Sequence, residues 1–216
     1  MSGSGRSITW ALCLSVIALG SAQAPSRAQE ILPEGVKVQW DLGRAHREST
    51  VTRERLCVNG LWRWQPAGED VEAVPADGWG YFKVPGPWPG TRFGRADESQ
   101  RAYAHPTWAD LNLSAVQRAW YEREVAIPAG WAGRRIELCA QYVNASAVVF
   151  VDGERAGEIR SRGGRVDLTD ACRPGGTPQR LSILVRKGPR GFRGLCGDVY
   201  LESTPAGERI EDVRVE

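Results

Sequence analysis

The stretch AWYEREVAIPAGWAGRRIELCAQYVNASAVVFVDGERAG, residues 119–157, alternates apolar and polar side chains in three successive segments. Alternation with a period of two is typical of half-buried β-strands, because neighbouring side chains point to opposite faces of a sheet. Pro128 ends the first segment, since proline cannot donate a ladder hydrogen bond. The pair Asp152-Gly153 lies between two alternating segments and predicts a type I′ hairpin turn. We therefore expect an antiparallel sheet here.

The same period recurs on both sides of this stretch, in ERLCVNGLWRW (54–64), QRLSILVRK (179–187) and GLCGDVYLES (194–203). GRVDLTDACRPGG (164–176) indicates a short strand followed by a turn or brief helix capped near Thr169 or Asp170. At least seven short strands with few helices predict an all-β sandwich or barrel. Parity assigns these residues to buried faces: Leu56, Val58, Gly60, Trp62, Trp64, Tyr121, Arg123, Val125, Ile127, Ile136, Leu138, Ala140, Ala147, Val149, Val151, Leu181, Ile183, Val185, Leu195, Gly197, Val199 and Leu201.

The N-terminus has the layout of a secretory signal peptide. Arg6 precedes an apolar run from Ile8 to Leu19, and small residues follow, with a suitable cleavage point after Ala28. The run is shorter than the roughly 20 residues that span a bilayer, although an uncleaved membrane anchor is the alternative. We expect residues 1–28 to be removed and the protein to be exported, to the periplasm or the extracellular space.

Charge and motifs exclude several function classes for the remaining chain. Without residues 1–28, which hold two arginines and no acid, 26 basic residues face 26 acidic ones. Such a balance does not suit nucleic-acid binding, which depends on neutralising phosphates. No further stretch resembles a membrane span, and no metal-binding spacing, nucleotide-binding loop or hydrolase motif is present. We therefore expect no cofactor and no metal.

Four cysteines remain after signal cleavage, an even number in an exported chain. Strand parity turns Cys57, Cys139 and Cys196 away from the core. Outward-facing cysteines on neighbouring strands could pair: among the three possible connectivities, Cys57–Cys196 would join the first strand to the last, and Cys139–Cys172 would take the remainder. Four reduced thiols are the alternative.

The connection from Pro85 to Arg118 shows no sustained period and is rich in Trp, Arg and acidic residues. Long irregular connections in compact domains are usually functional or disordered. Aromatic rings can cover the apolar face of a pyranose, and planar polar groups can bind its hydroxyls. A well-packed surface loop or a domain interface is the alternative. Five candidate carbohydrate-binding residues lie in this connection, and Arg193 in the later segment 188–196 is the sixth. The five are Trp88, Arg92, Asp97, Tyr103 and Trp108.

Six segments occur in an order that resembles the N-terminal sugar-binding domain of glycoside hydrolase family 2, which contains β-galactosidases, β-glucuronidases and β-mannosidases. They are RERLCVNGLWRWQPA, WGYFKVPGPWPG, AWYEREVAIPAGWAGRRIEL, AVVFVDGERAGE, VDLTD and GDVYLESTPAGERIEDVRV. The resemblance covers about residues 50–216. It implies a jelly-roll-type antiparallel β-sandwich of the galactose-binding-domain type. It also implies a parent enzyme whose separate barrel carries two catalytic glutamates and retains anomeric configuration.

The chain departs from the family pattern before its last strand. Arg190 and Arg193 replace an acidic residue that β-galactosidase-like members bring toward the sugar, which disfavours that specificity and admits an acidic or modified sugar. Arg123 matches the family's strand arginine, and a structural salt bridge is its favoured role. On this resemblance we expect residues 29–49 to be an extension, 50–205 the sandwich domain, and 206–216 a linker or the start of a following domain.

The leading hypothesis is a non-catalytic, carbohydrate-facing domain of an exported family 2 glycosidase, which supports the active-site rim. Its partners would be a glycoside substrate and, if the chain is a fragment, the catalytic barrel. A stand-alone carbohydrate-binding module with Trp88 and Trp108 as stacking platforms is the first alternative. A structural or protein-interaction sandwich is the second. Independent catalysis by this chain is the least expected, because no catalytic constellation stands out.

Overall fold

The computed structural model describes residues 34, 46–69, 73–88, 101–160, 162–189 and 191–207. The predicted signal peptide, most of the predicted extension, and candidates Arg92 and Asp97 lie outside the described residues. So do Arg190 and residues 208–216.

The described chain is built from thirteen β-strands and short 3-10 turns. The strands are β1 (Arg47–Ser49), β2 (Glu54–Cys57), β3 (Gly60–Pro66), β4 (Gly80–Val84), β5 (Arg101–Tyr103), β6 (Arg118–Val125), β7 (Arg135–Ala140), β8 (Val143–Val151), β9 (Glu154–Arg160), β10 (Gly164–Asp167), β11 (Gln179–Lys187), β12 (Gly194–Leu195) and β13 (Val199–Thr204). The 3-10 turns are Pro106–Trp108, Leu113–Ala115 and Ala129–Trp131. Within the described residues, no helix has the length and apolar character needed to cross a membrane.

The strands form two antiparallel sheets that pack as a sandwich. The smaller sheet has the order β1-β2-β13-β7-β10, and the larger has the order β12-β8-β11-β6-β3-β4-β5, with β9 also paired to β8. The predicted all-β sandwich is therefore confirmed. The hairpin between β8 and β9 turns at Asp152 and Gly153, whose φ angles of 51° and 88° are those of the predicted type I′ turn.

One apolar core lies between the sheets and matches the predicted inward faces. Trp62, Leu138, Val149 and Val199 come from four strands and two sheets, yet all are fully buried in this one cluster. Large rings dominate the interior, where burying one such side chain stabilises the fold by about 2–3 kcal/mol.

Two segments that parity treats as single strands change sheets instead. Residues 54–64 divide into β2 in the smaller sheet and β3 in the larger one, and the break falls at Val58 and Asn59. Residues 194–203 divide in the same way into β12 and β13. The alternation of buried and exposed residues continues across the break, because both halves face the same core. The periodicity alone carries no information about sheet membership.

The turn after β10 differs from the prediction in its cap. No helix forms there, and the turn is closed by Asp167 rather than by Thr169 or Asp170. The Asp167 carboxylate accepts hydrogen bonds from the Thr169 amide at 2.9 Å and from its hydroxyl at 2.5 Å. A strand-ending aspartate thus satisfies the first free amide of the turn.

The structure holds all four cysteines as free thiols, so neither predicted disulfide is present in it. Cys57 and Cys139 flank Tyr200 across two strand pairings, about 9.6 Å apart. The Cys196 thiol donates to the carbonyl of Arg193 at 3.3 Å, and Cys172 packs against the core. Burial raises the pKa of Cys139 to about 11 and those of Cys172 and Cys196 to about 12. These three thiols therefore stay protonated at neutral pH.

The outer face of the larger sheet carries a second apolar cluster. Trp120, Val148, Phe150 and Leu184 project from three adjacent strands, and Trp79 covers them together with Ala67 and Val74. The rings of Trp120 and Phe150 lie 5.2 Å apart. Parity places these residues on an outer face, yet the segment that precedes β4 buries them.

Candidate functional site

Three segments without long strands meet at one end of the sandwich, which we call the loop end: residues 85–88, 105–117 and 191–196. The amides of Gly86 and Trp88 donate to the carbonyls of Leu195 and Arg193 at 2.8 and 3.0 Å. The Arg193 guanidinium donates to the Ser114 carbonyl at 2.6 Å. Because Leu195 also pairs with Val143 at the start of β8, the three segments are fixed to the scaffold.

Trp88 and Trp108, two of the predicted sugar-binding residues, are core residues at the base of the loop end. Their exposed fractions are 0% and 5%. Their rings lie 6.3 and 5.2 Å from that of Trp64, which in turn stacks on Phe82 at 4.4 Å. Neither tryptophan presents a ring face that a pyranose could cover, so neither serves as a stacking platform in this structure.

Tyr103 and Arg193 are the predicted site residues that the structure leaves partly exposed. Tyr103 ends the edge strand β5, with its ring 6.4 Å from that of Tyr81. Arg193 lies in segment 191–196, and it contacts segment 105–117 through Ser114. The structure therefore brings Trp88 and Arg193 together through backbone pairing, with only Arg193 open to solvent.

Sequence reasoning missed several residues of the loop end. Leu111 and Phe192 are its large exposed apolar side chains, 49% and 44% accessible. Segment 191–196 also rests on Tyr142 and Asn144, since a Cβ built at Gly191 would lie 3.3 Å from the Tyr142 hydroxyl and 2.8 Å from the Asn144 amide nitrogen. The glycines at positions 188, 191 and 194 are the sequence signal for this close approach.

Three residues of the motifs that carry the family resemblance, Asn59, Trp62 and Arg123, make contacts that stabilise the fold. The Asn59 side chain accepts from the Val199 amide at 2.9 Å and donates to the Asp198 carboxylate at 2.8 Å. The Trp62 indole donates to the Val58 carbonyl at 2.8 Å. Arg123 is buried and donates to the carbonyls of Val58 and Asn59 at 2.8 and 2.6 Å. All of these contacts tie the β2–β3 crossover to the core.

Arg123 is therefore structural, but its partners are backbone carbonyls rather than the carboxylate that a salt bridge requires. Burial lowers the pKa of Arg123 to about 10, which still leaves it charged at neutral pH.

Two buried carboxylates, Glu122 and Glu202, are held by arginines. Glu122 accepts from Arg63 at 2.9 Å and from the Ser182 hydroxyl at 3.1 Å. Glu202 accepts from Arg55 at 2.5 Å and from Arg165. Burial alone would raise the pKa of Glu202, but the hydrogen bonds from Arg165 and Arg55 lower it. A general acid needs the opposite shift.

The opposite end of β8 borders an open groove with a volume of about 1160 Å³. Two ion pairs lie in its charged walls. Arg173 contacts Asp152 at 2.5 Å, and Arg135 contacts Asp167 at 3.0 Å. In the part of the chain that the structure describes, no group of three or more His, Cys, Asp or Glu side chains could hold a metal ion.

No family model and no curated protein matches this chain. Solved structures of β-glucuronidases do match its fold. A Bifidobacterium dentium β-glucuronidase complexed with coumarin-3-O-glucuronide has a TM-score of 0.56 and 20% identity, over 73% of this chain and 31% of that one. A Ruminococcus gnavus β-glucuronidase has a TM-score of 0.59 and 15% identity, over 74% and 30%.

A Faecalibacterium prausnitzii β-glucuronidase has a TM-score of 0.55 and 16% identity, and the match covers 74% of this chain and 33% of that one. This chain thus spans about a third of the length of these enzymes. At such low identities the likeness concerns the fold. We conclude that the chain has the fold of one part of these β-glucuronidases, a β-sandwich.

Proposed function

We propose that this chain is a non-catalytic, carbohydrate-facing domain of an exported family 2 glycoside hydrolase, and that it supports the rim of an active site held by another domain. The observation that carries the proposal is the fold likeness to β-glucuronidases over about a third of their length. Two of the similar structures hold coumarin-3-O-glucuronide and D-glucuronic acid. A glycoside is accordingly the partner that we propose for this chain.

The loop end is the surface that we assign to the carbohydrate. It combines a half-buried guanidinium at Arg193, an exposed ring at Phe192 and polar groups at Asn112 and Ser114. This mixture suits a sugar, whose hydroxyls need planar polar groups and whose C–H faces need apolar contact. A stand-alone module with Trp88 and Trp108 as platforms is less well supported, because both rings are buried.

A nuclear magnetic resonance titration of the isotope-labelled 216-residue chain tests this assignment. Neutral and acidic methyl glycosides should shift the amide signals of residues 111–115 and 191–196, and leave those of the β8–β9 turn unchanged. Binding is expected to be weak, because the proposed domain supplies a few contacts to a site completed elsewhere. Shifts confined to the opposite groove, or a folded chain that responds to no glycoside, would refute a carbohydrate-facing loop end.

Whether the chain belongs to a longer enzyme can be tested by sequencing the gene. The coding sequence downstream of codon 216 should encode a barrel with two glutamates about 5 Å apart, as retaining glycosidases require. An independent reading frame without any barrel would point to a domain used alone.

Export is tested by expressing the chain with its natural N-terminus in a secreting host and sequencing the product. We expect the mature protein to begin at Gln29, because cleavage after Ala28 follows the small-residue pattern of a signal peptidase site. Retention of Met1 on a cell-associated protein would contradict this expectation.

A further inference from the structure

Three pairs of residues in this chain place an aspartate or asparagine directly before a glycine: Asn59-Gly60, Asp77-Gly78 and Asp152-Gly153. In such a pair the glycine amide nitrogen can attack the side-chain carbonyl carbon of the preceding residue, because glycine has no Cβ to shield that nitrogen. The attack requires a side chain that is free to turn toward the backbone. The three pairs are chemically alike, so their surroundings determine which of them reacts.

The side chain of Asn59 is held on both of its polar atoms. Its oxygen accepts from the Val199 amide at 2.9 Å, and its nitrogen donates to the Asp198 carboxylate at 2.8 Å. Both contacts cross from β3 to β13 and must break before the side chain can reach the Gly60 amide.

The carboxylate of Asp152 is held by three donors. One oxygen accepts from the Arg180 amide at 2.8 Å, and the other accepts from Gln179 at 2.9 Å and from Arg173 at 2.5 Å. Burial alone would raise the pKa of Asp152, but these hydrogen bonds lower it. The carboxylate therefore stays ionised at neutral pH, and an ionised carboxylate is a poor target because it has no hydroxyl to lose.

Asp77 lies in an exposed bend just before β4, and its surroundings differ from those of Asp152. Among the described residues, neither the Asp77 carboxylate nor the Gly78 amide has a hydrogen-bond partner. The contact of this bend is made by the Asp77 backbone carbonyl, which accepts from the Gln65 side chain at 2.8 Å. The group that attacks and the group that is attacked are therefore both available.

We propose that Asp77-Gly78 is a modification site at which the folded chain forms isoaspartate without an enzyme. The Gly78 nitrogen bonds to Cγ of Asp77, and the amide proton and the hydroxyl of the protonated carboxyl leave as water, which gives a succinimide. Water then opens the ring at one of its two carbonyls, giving either aspartate or isoaspartate. One water leaves and one returns, so the composition is unchanged and no oxidant is needed. This inference is independent of the proposed carbohydrate-facing function.

The product would alter the segment that covers the outer apolar cluster. Isoaspartate runs the main chain through its Cβ, which adds one backbone carbon two residues before Trp79. Trp79 covers Trp120 and Phe150 on the outer face of the larger sheet. We expect the isoaspartate form, separated by chromatography, to unfold at a lower urea concentration than the unmodified chain. An unchanged urea midpoint would show that the cover does not depend on this bend.

The site is tested by incubating the folded 216-residue chain at neutral pH, below its unfolding temperature, and measuring isoaspartate by peptide mapping with electron-transfer mass spectrometry. We expect isoaspartate to accumulate at Asp77 about tenfold faster than at Asp152, because a hydrogen bond to a charged group must first break at Asp152. The same chain in urea is the reference. Both Asp-Gly pairs are released there and should react at similar rates.

Three variants sharpen the comparison. Asp77→Glu should abolish the product at this position, because the longer side chain would have to close a larger ring. Arg173→Gln should speed the reaction at Asp152 and leave Asp77 unchanged. Arg155→Gln is the matched control, since Arg155 lines the same groove but pairs with Glu158. Equal rates at Asp77 and Asp152 in the folded chain, or a faster reaction at Asp152, would overturn the assignment.

Discussion

Gly80 shows how a single residue determines where the loop-end tryptophans lie. A Cβ at this position would lie 2.1 Å from the ring of Trp108 and 2.5 Å from the Tyr103 carbonyl. We predict that Gly80→Ala displaces Trp108 and lowers the free energy of unfolding by about 1–3 kcal/mol, as overpacking of a core does. The urea midpoint and tryptophan fluorescence report both effects. Gly130→Ala is the control, because a Cβ there meets nothing within 4 Å. Equal midpoints for the two variants would contradict this account.

At the same scale, the burial of Trp88 and Trp108 changes how mutations of the candidate site are interpreted. Replacing either ring by alanine would open a large cavity, which typically costs about 3–5 kcal/mol. Loss of carbohydrate binding in such a variant would thus report unfolding. Arg193 and Phe192 are better positions for functional tests, since both are partly exposed.

Among the elements, the crossover from β2 to β3 depends on Asn59, whose two side-chain atoms bind Val199 and Asp198. Asn59→Asp keeps the acceptor but turns the donor into an oxygen that faces the Asp198 carboxylate. We predict a loss of about 1–2 kcal/mol in unfolding free energy, measured as a lower urea midpoint. The double variant Asn59→Asp, Asp198→Asn restores a donor to the pair and should recover part of the loss. If it is no more stable than the single variant, the pairing has been misassigned.

The strands also show which features of the fold could be predicted from the sequence. Period-two burial predicted the core faces of β6, β7, β8 and β11, because hydrophobic burial is a local property of a strand. It could not predict that residues 54–64 change sheets, since the positive φ of Gly60 and the Asn59 bridge are tertiary features. The candidate site was predicted less well. Tryptophan chemistry suits both a core and a sugar, and only the packing of distant segments distinguishes them.

For the whole molecule, the two ends of the sandwich have different character. In the groove beside the β8–β9 turn, two arginines pair with two aspartates, Arg173 with Asp152 and Arg135 with Asp167. The loop end leaves Arg193 without a carboxylate partner among the described residues. We propose the loop end for the ligand because its partly exposed arginine lies beside an exposed aromatic ring, Phe192.

Stability against acid should follow from the ion pairs that join the strands of the smaller sheet. Burial would raise the pKa of Glu202, but hydrogen bonds from Arg165 and Arg55 lower it, so the unfolded state binds its proton more readily. The contribution of Glu202 is therefore present above its unfolded pKa of about 4.3 and disappears as pH falls through the lower folded value. We predict that the urea midpoint decreases as the pH falls below about 4.3. Glu202→Gln should make the midpoint depend less on pH and should lower it at pH 7. Glu124→Gln, on the exposed side of β6, is the control, and an unchanged slope in Glu202→Gln would contradict the assignment.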